Sequence, residues 1–274
     1  MRIRLISVLL VLAFMAAAGY AQDTSKSTYR KVSQNAFGLG ERLDFEISYG
    51  FLTAGNVVME VAPNYITING RNCYDISLRV NSAASFEWVY KISDMYKCYL
   101  DAEGLFPWKF EQYIREGDYT KDFVAIFDHE NLKVNTNTTV RGEKKPDGEY
   151  AIKKYVLDVI SAFYFARTQN IASMNKGDEF TMNSFYSDAS YDLTVKILDR
   201  ENADVSAGEF RSVIVQPLVK EGALIKKAEN IAVWISDDDR KIPVKVQLDV
   251  IIGSVKAELT SYKNLSGPLN SKVK

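Results

Sequence analysis

Histidine is the side chain best suited to proton transfer near neutral pH, and this chain has only one, His129, in Asp128-His-Glu-Asn131. A lone histidine in a polar tetrapeptide just after a strand reads as part of a polar turn. With no second histidine, Ser-His-Asp catalysis and typical zinc sites have little to build on. The sequence contains no Gly-x-Ser-x-Gly, no phosphate-cradling glycine loop and no His-Glu-x-x-His. Asp237-Asp-Asp239 is the most metal-like run. Consecutive carboxylates on a tight turn point in different directions, however, and the alternating ligands, glycine and distal glutamate of a calcium loop are missing. It reads as a solvated hairpin turn between Ile235 and Ile242. A carboxylate pair for glycoside hydrolysis is defined by its separation in space, and among 35 acidic residues such pairs arise by chance. No catalytic residue, metal ligand or cofactor motif is assigned. A non-enzymatic role is expected, with a carbohydrate-active enzyme using a carboxylate pair as an alternative.

Cys73 and Cys98 are the only cysteines, a candidate disulfide in an oxidising compartment. Alternation puts Cys73 with Asp75, Ser77 and Arg79, and Cys98 with Tyr96 and Leu100. The other reading is therefore two free thiols packed as small hydrophobes. Aromatic side chains are the remaining candidates for recognition. Trp108 alternates with Phe106 and Phe110 on a dry face, Trp234 lies opposite Ile231, Val233 and Ile235, and Trp88 sits in a loop, where function concentrates. If a ligand is held, Phe45, Tyr49, Trp88, Trp108, Phe163 and Tyr164 are the residues expected to line its site.

The element that would position such a site is Val156-Leu-Asp-Val-Ile-Ser-Ala-Phe-Tyr-Phe-Ala-Arg167. Asp158 can accept an orphan N–H of the first turn. Arg167 falls near the end, where a cation suits the helix dipole. Between them only Ser161 is polar, so the helix should be buried. It is too short to span a bilayer.

Strands are expected on both sides of it. Leu43, Phe45, Ile47 and Tyr49 alternate with Arg42, Asp44, Glu46 and Ser48, a strand with one wet face. Val57, Met59 and Val61 continue after a turn, Asn69-Gly70 signals a hairpin, and strands follow at 74–80, 95–100, 106–114 and 119–127. Residues 128–155 lose the alternation, and a second set runs from Phe180 to Tyr262. The two sets share landmarks at nearly constant offset: Gly40 with Gly177, Gly70 with Gly208, Phe106-Pro-Trp-Lys with Ile242-Pro-Val-Lys, and Gly117 with Gly253. Together these predict a mainly β fold of about twelve antiparallel strands, curled into a barrel or split into two facing sheets. Two similar six-strand halves, about 37–135 and 174–264, would be joined by the loop and buried helix of 136–173.

Ahead of this domain, Arg2 and Arg4, an apolar core from Leu5 to Ala18 and Gly19-Tyr-Ala21 form a secretory signal peptide over 1–21. A polar leader covers 22–36, the β-rich domain 37–264, and 265–274 reads as a frayed tail. The net charge of −1, more acidic once Arg2 and Arg4 are removed, excludes the basic footprint of a nucleic-acid binder. No later stretch is apolar for long enough to span a membrane.

Phe37-Gly-Leu-Gly-Glu-Arg-Leu-Asp-Phe-Glu-Ile-Ser-Tyr-Gly-Phe-Leu-Thr-Ala-Gly55, Ser161-Ala-Phe-Tyr-Phe-Ala-Arg167 and Val233-Trp-Ile-Ser-Asp-Asp with Ile242-Pro-Val-Lys245 resemble the exported bacterial family called domain of unknown function 3108. The resemblance covers about residues 37–263. It implies a Gram-negative periplasmic setting and carries no catalytic residues. The Trp-Ile-Ser…Ile-Pro-Val-Lys hairpin also looks like one in periplasmic lipoprotein carriers, whose open barrels hold acyl chains against a helix, a fold-level analogy. Two readings follow. One is a binding module for an apolar or amphipathic envelope molecule. The other is a structural or interaction protein with a packed core, docking partners through the unequal loops at 81–93, 128–155 and 218–229.

Overall fold

Alternation decides the first strand: Leu43 and Phe45 are buried while Arg42, Asp44 and Glu46 face outward along β1 (Arg42–Tyr49). The computed structural model describes residues 29–88, 90–219, 231–250 and 253–273. The signal segment 1–21, the leader up to residue 28 and most of the loop expected at 218–229 lie outside the described residues.

The first half continues through β2 (Leu52–Val61), β3 (Ile66–Ile68), β4 (Arg71–Ser82), β5 (Ser93–Asp101), β6 (Pro107–Glu116), β7 (Tyr119–Asp128), β8 (Lys133–Val140), β9 (Glu143–Lys144) and β10 (Gly148–Ala151). Helix α1 (Val159–Ala166) follows. The second half comprises β11 (Glu179–Tyr186), β12 (Ala189–Val205), β13 (Gly208–Val219), β14 (Ile231–Ser236), β15 (Pro243–Asp249) and β16 (Ser254–Lys263). The strands form one antiparallel sheet in the order β10-β8-β7-β6-β5-β4-β2-β1-β16-β15-β14-β13-β12-β11, with β3 beside β4 and β9 beside β8. First and last strands meet, Arg42 facing Lys263 and Tyr49 facing Val255.

Sixteen strands stand where alternation predicts about twelve. The additional four are β3, β8, β9 and β10. In β8 the buried positions are Val134 and Thr136; threonine is at home in a strand but breaks an apolar count. The short strands β3 and β9 are held by their ladder partners. Asn69 and Gly70 both take the left-handed backbone (φ 50° and 72°) of a tight hairpin, as their dipeptide predicts.

The ladder does not close, since β10 and β11 are its two ends. The chain between β10 and α1 laces the seam instead. Ile152 N–H donates to Leu132 O (2.9 Å), Leu157 N–H to Asn183 O (2.9 Å), and Phe185 N–H to Leu157 O (2.8 Å). The Phe185 ring packs against Phe127 and Tyr150 across the same gap.

Leu157, spent on this lacing as a bridge to Ser184, delays the helix to Val159. Asp158 is its N-cap, Oδ1 accepting from Ile160 N (2.8 Å) and Ser161 N (3.1 Å). The helix lies where two apolar clusters meet. Ile160 and Tyr164, four apart on one face, join the larger cluster with Phe45, Leu100, Phe127 and Leu259. Ala162 and Ala166 join the smaller, with Met182, Ile197 and Val213. An apolar sequence all round predicts complete burial, yet Val159 is exposed and Phe163 and Phe165 are half-buried.

The described parts of the leader and of the tail dock where loose segments are expected. Val32 N–H donates to Glu103 O (2.8 Å), and Ala36 and Phe37 enter the larger core. Residues 265–273 are tied down: Ser271 is buried, its N–H and hydroxyl donate to Asp238 Oδ2 (3.0 and 2.6 Å), and its carbonyl accepts from Arg211 N. Partners distant in sequence decide this, and composition does not register them.

Candidate functional site

Among the described residues, three buried polar assemblies and an open hollow stand out as places for chemistry or recognition. The first sits at the foot of α1. Cys98, pointing from β5, donates to Asp158 Oδ2 (3.1 Å), which also accepts from Ser161 Oγ (2.8 Å). Burial pushes the Cys98 thiol well above its ordinary range, and the nearby carboxylate adds to this. Burial also raises Asp158, against the pull of its hydrogen bonds from Cys98, Ser161 and Ile160. A thiol so held stays protonated and is a poor nucleophile.

Cys73 lies on β4 opposite Asp101, whereas Cys98 lies opposite Ile76. An odd register offset puts the two sulfurs on opposite faces of the sheet, and both are free, buried thiols rather than the candidate disulfide. Burial, with Asp101 nearby, pushes Cys73 up to about 12.

The second assembly closes the other end of the helix. Arg167 is wholly buried and ion-paired with Glu41, itself wholly buried, through Nη1–Oε1 (2.6 Å) and Nη2–Oε2 (2.9 Å). It also donates to Ala36 O (3.0 Å) and, from Nε and Nη2, to Arg240 O (3.2 and 3.0 Å). The guanidinium lies 5.1 Å from the Tyr164 ring centre and 5.5 Å from that of Phe37. Burial opposes its charge, but the facing Glu41 carboxylate outweighs burial and raises its pKa. The dipole role expected of Arg167 is thus replaced by a clamp that ties α1 to the leader and to the β14–β15 turn. A single charge in an otherwise apolar helix was the available signal; Glu41, 126 residues away, had none.

Asp101 anchors the third. It accepts from Arg71 Nη2 (2.8 Å), Trp108 Nε1 (3.1 Å) and the N–H groups of Gly104 (2.7 Å) and Glu103 (3.1 Å). Burial would raise its pKa, but these donors, Arg71 foremost, leave it below the ordinary carboxylate range. Beside it His129 stands in a turn, as expected, yet is fully buried. Nε2 lies 2.8 Å from Pro107 O and Nδ1 accepts from Tyr155 N–H (3.2 Å), so the geometry fits a neutral ring protonated at Nε2. Phe106, Trp108, Phe127 and Tyr155 surround it. The rings on both sides of the turn pull it inward, which a tetrapeptide count of polar residues does not register. Asp237-Asp-Asp239 also differs from a purely solvated turn, because Asp238 accepts from Ser236, Arg240, Lys241 and Ser271 and fastens the tail.

The hollow, about 440 Å³ and open to solvent, lies over β1 and β2 and is lined by Arg42, Asp44, Phe45, Glu46, Asn56 and Val58 among others. Its central charges are already matched. Arg42 Nη2 donates to Asp44 Oδ1 (2.7 Å), and Ser261 Oγ donates to Asp44 Oδ2 (2.9 Å). These donors outweigh burial and hold Asp44 below its usual range. Such a lining differs from the mostly apolar wall of a small-molecule site. Among the described residues no three of His, Cys, Asp or Glu are grouped to share a metal ion.

The six candidate ligand residues do not converge. Phe45 and Tyr164 belong to the larger core and Phe163 packs against it, its ring 5.6 Å from that of Tyr164. Trp108 is committed to Asp101. Tyr49 and Trp88 are exposed, Trp88 at 85%. Among the described residues no helix is long and apolar enough to cross a membrane.

A fold of this kind recurs in a beta-barrel-like protein of domain of unknown function DUF1849 from Brucella abortus. It is 11% identical with a TM-score of 0.54, over 83% of this chain and 99% of that one. A protein from Bacteroides fragilis with a YmcC-like fold, inferred to be exported, aligns over 84% of this chain and 100% of its own, at 9% identity and a TM-score of 0.33. No curated protein matches the sequence. The family described as protein of unknown function (DUF3108) matches residues 44–260, from β1 to β16 and through the capped helix between them. The match spans most of the sheet that builds these assemblies, and the chain belongs to that family.

Proposed function

We propose that this protein is an exported, non-enzymatic component of the bacterial cell envelope, in which a curled sheet packed around a buried helix serves as a scaffold and the exposed connections meet a partner. The observation that carries this reading is the state of the helix. Tyr164 has no exposed surface, and Arg167 and Glu41 fill the space beyond it, so the inward face of α1 is occupied by protein. The signal-like segment 1–21 supports export. A periplasmic setting follows from the family resemblance.

A second reading, a module holding an apolar or amphipathic envelope molecule, is favoured by one feature: Phe163 and Phe165 keep partial exposure on an otherwise apolar helix. One experiment separates them. Under the scaffold reading Tyr164→Ala costs about 3–5 kcal/mol by loss of packing, and the native protein leaves an apolar fluorescent probe such as anilinonaphthalene sulfonate unbound. Probe binding by the native protein that Phe163→Ala alters, with little loss of stability, would establish the ligand reading instead.

We also infer a duplicated six-strand unit. In its support, the β5–β6 and β14–β15 hairpins both carry a register bulge at the residue facing the proline, Leu100 with Pro107 and Ile235 with Pro243.

A further inference from the structure

Antiparallel pairing puts the β1–β2, β4–β5, β6–β7 and β15–β16 connections at one end of the sheet. The opposite end is covered. There the leader is bonded to Glu103 and the tail to Asp238 and Arg211, and Leu105, Phe106 and Ile242 have no exposed surface. The first end carries the most exposed rings of the described residues: Phe51 at 95% and Trp88 at 85%. Tyr49, Leu52, Tyr90 and Val250 are exposed beside them. The connections that carry them are neighbours along one rim of the sheet. A Cβ on Gly253 would lie 3.7 Å from the Tyr49 ring, Ala83 N–H donates to Ala54 O, and Tyr90 donates to Glu116 O beside the β6–β7 turn.

We propose that this rim is a lipid-facing surface, with Phe51, Leu52 and Trp88 inserting into the headgroup layer of a phospholipid bilayer and Tyr49 and Tyr90 at its boundary. It rests on the reading of the protein as an envelope scaffold whose connections do the contacting, and it names the partner. The side chains fit that partner. Tryptophan and tyrosine present an apolar ring with one polar atom and concentrate where hydrocarbon meets water. They stand on tips of separate connections. A fluid interface covers independent protrusions, whereas a protein partner would need a matched pocket for each. Of the cations near the rim, Lys91 is paired with Glu87 (3.3 Å) and Arg115 with Asp122 (2.6 Å), so the attraction proposed is apolar and needs no anionic lipid.

The test is flotation of the mature full chain with vesicles of phosphatidylethanolamine and a minor share of phosphatidylglycerol, with tryptophan emission read in parallel. Trp108 and Trp234 are buried, so a change in emission reports Trp88. The expected result is co-flotation that persists at about 1 M salt, where charges are screened within about 3 Å, together with a blue shift. Phe51→Ser with Trp88→Ser should abolish flotation while leaving circular dichroism and melting unchanged, since both side chains are exposed. Protein that stays in the dense fraction with unshifted emission overturns the proposal, as does equal flotation by the double variant. A concentration-dependent mass without vesicles, lost in the same variant, would assign the rim to a second copy of the chain and also overturn it. Neither outcome touches the probe test at Tyr164 and Phe163, so failure of the lipid assignment is separable from failure of the scaffold reading.

Discussion

Replacing Arg167 with methionine keeps most of the side-chain volume and removes the charge that five hydrogen bonds surround. Glu41 then remains as an unpaired carboxylate with no exposed surface, a loss that typically costs about 3–5 kcal/mol. The carbonyls of Ala36 and Arg240 lose donors as well, so the upper part of that range is expected. For a domain of this size, each kcal/mol moves the melting temperature by about 2–4 °C, so Arg167→Met should melt roughly 10–20 °C lower. Urea unfolding measures the loss directly, as a lower midpoint at unchanged slope. Glu41→Leu combined with Arg167→Met removes both charges and should be more stable than Arg167→Met alone, because apolar replacement of a buried pair is often near neutral. Lys31 pairs with Glu103 in solvent, so Lys31→Met should leave the midpoint where it is. A loss below about 1 kcal/mol for Arg167→Met, or a double variant no better than the single, would refute the clamp.

Three further outcomes follow from the buried groups and the ladder. Asp101, with its folded pKa depressed, adds stability that is present above the ordinary carboxylate value and lost as pH falls through the depressed one. Asp101→Asn should therefore lower the urea midpoint at about pH 7, with a deficit that shrinks toward about pH 2; a deficit independent of pH contradicts the assignment. Both cysteines should escape Ellman's reagent in the folded protein and titrate as two thiols in unfolded, unreduced protein, and reductant should not move the melting temperature. Titration of no thiol at all would restore the bridge. At Gly55 an added Cβ would stand 2.3 Å from the backbone oxygen of Asn81, and backbone cannot rotate away as a side chain can. Gly55→Ala should cost about 1–3 kcal/mol by forcing β2 from β4, and an unchanged melting curve would count against that close approach.

Period-two alternation at Leu43, Phe45, Val57 and Met59, the Asn69-Gly70 turn and the Asp158 cap are local signals. Each was legible in the sequence because a strand face, a left-handed turn and an orphan N–H are satisfied by residues a few positions away. The sequence by itself thus determined the mainly antiparallel class, the helix and the family resemblance. Long-range partners were not legible. That Arg167 meets Glu41, that Cys98 serves Asp158 while Cys73 faces the other side, that His129 turns inward among Phe106 and Phe127, and that Ser271 docks on Asp238 all depend on which strands become neighbours. The sheet's order makes those neighbours. β1 pairs with β16 and β10 stays apart from β11, so the described parts of the leader and tail dock at one end, while Phe51 and Trp88 are exposed at the other. Only the tertiary structure could decide that, because burial belongs to the assembled sheet: the same apolar side chain is core where a distant segment covers it and exposed surface where none does.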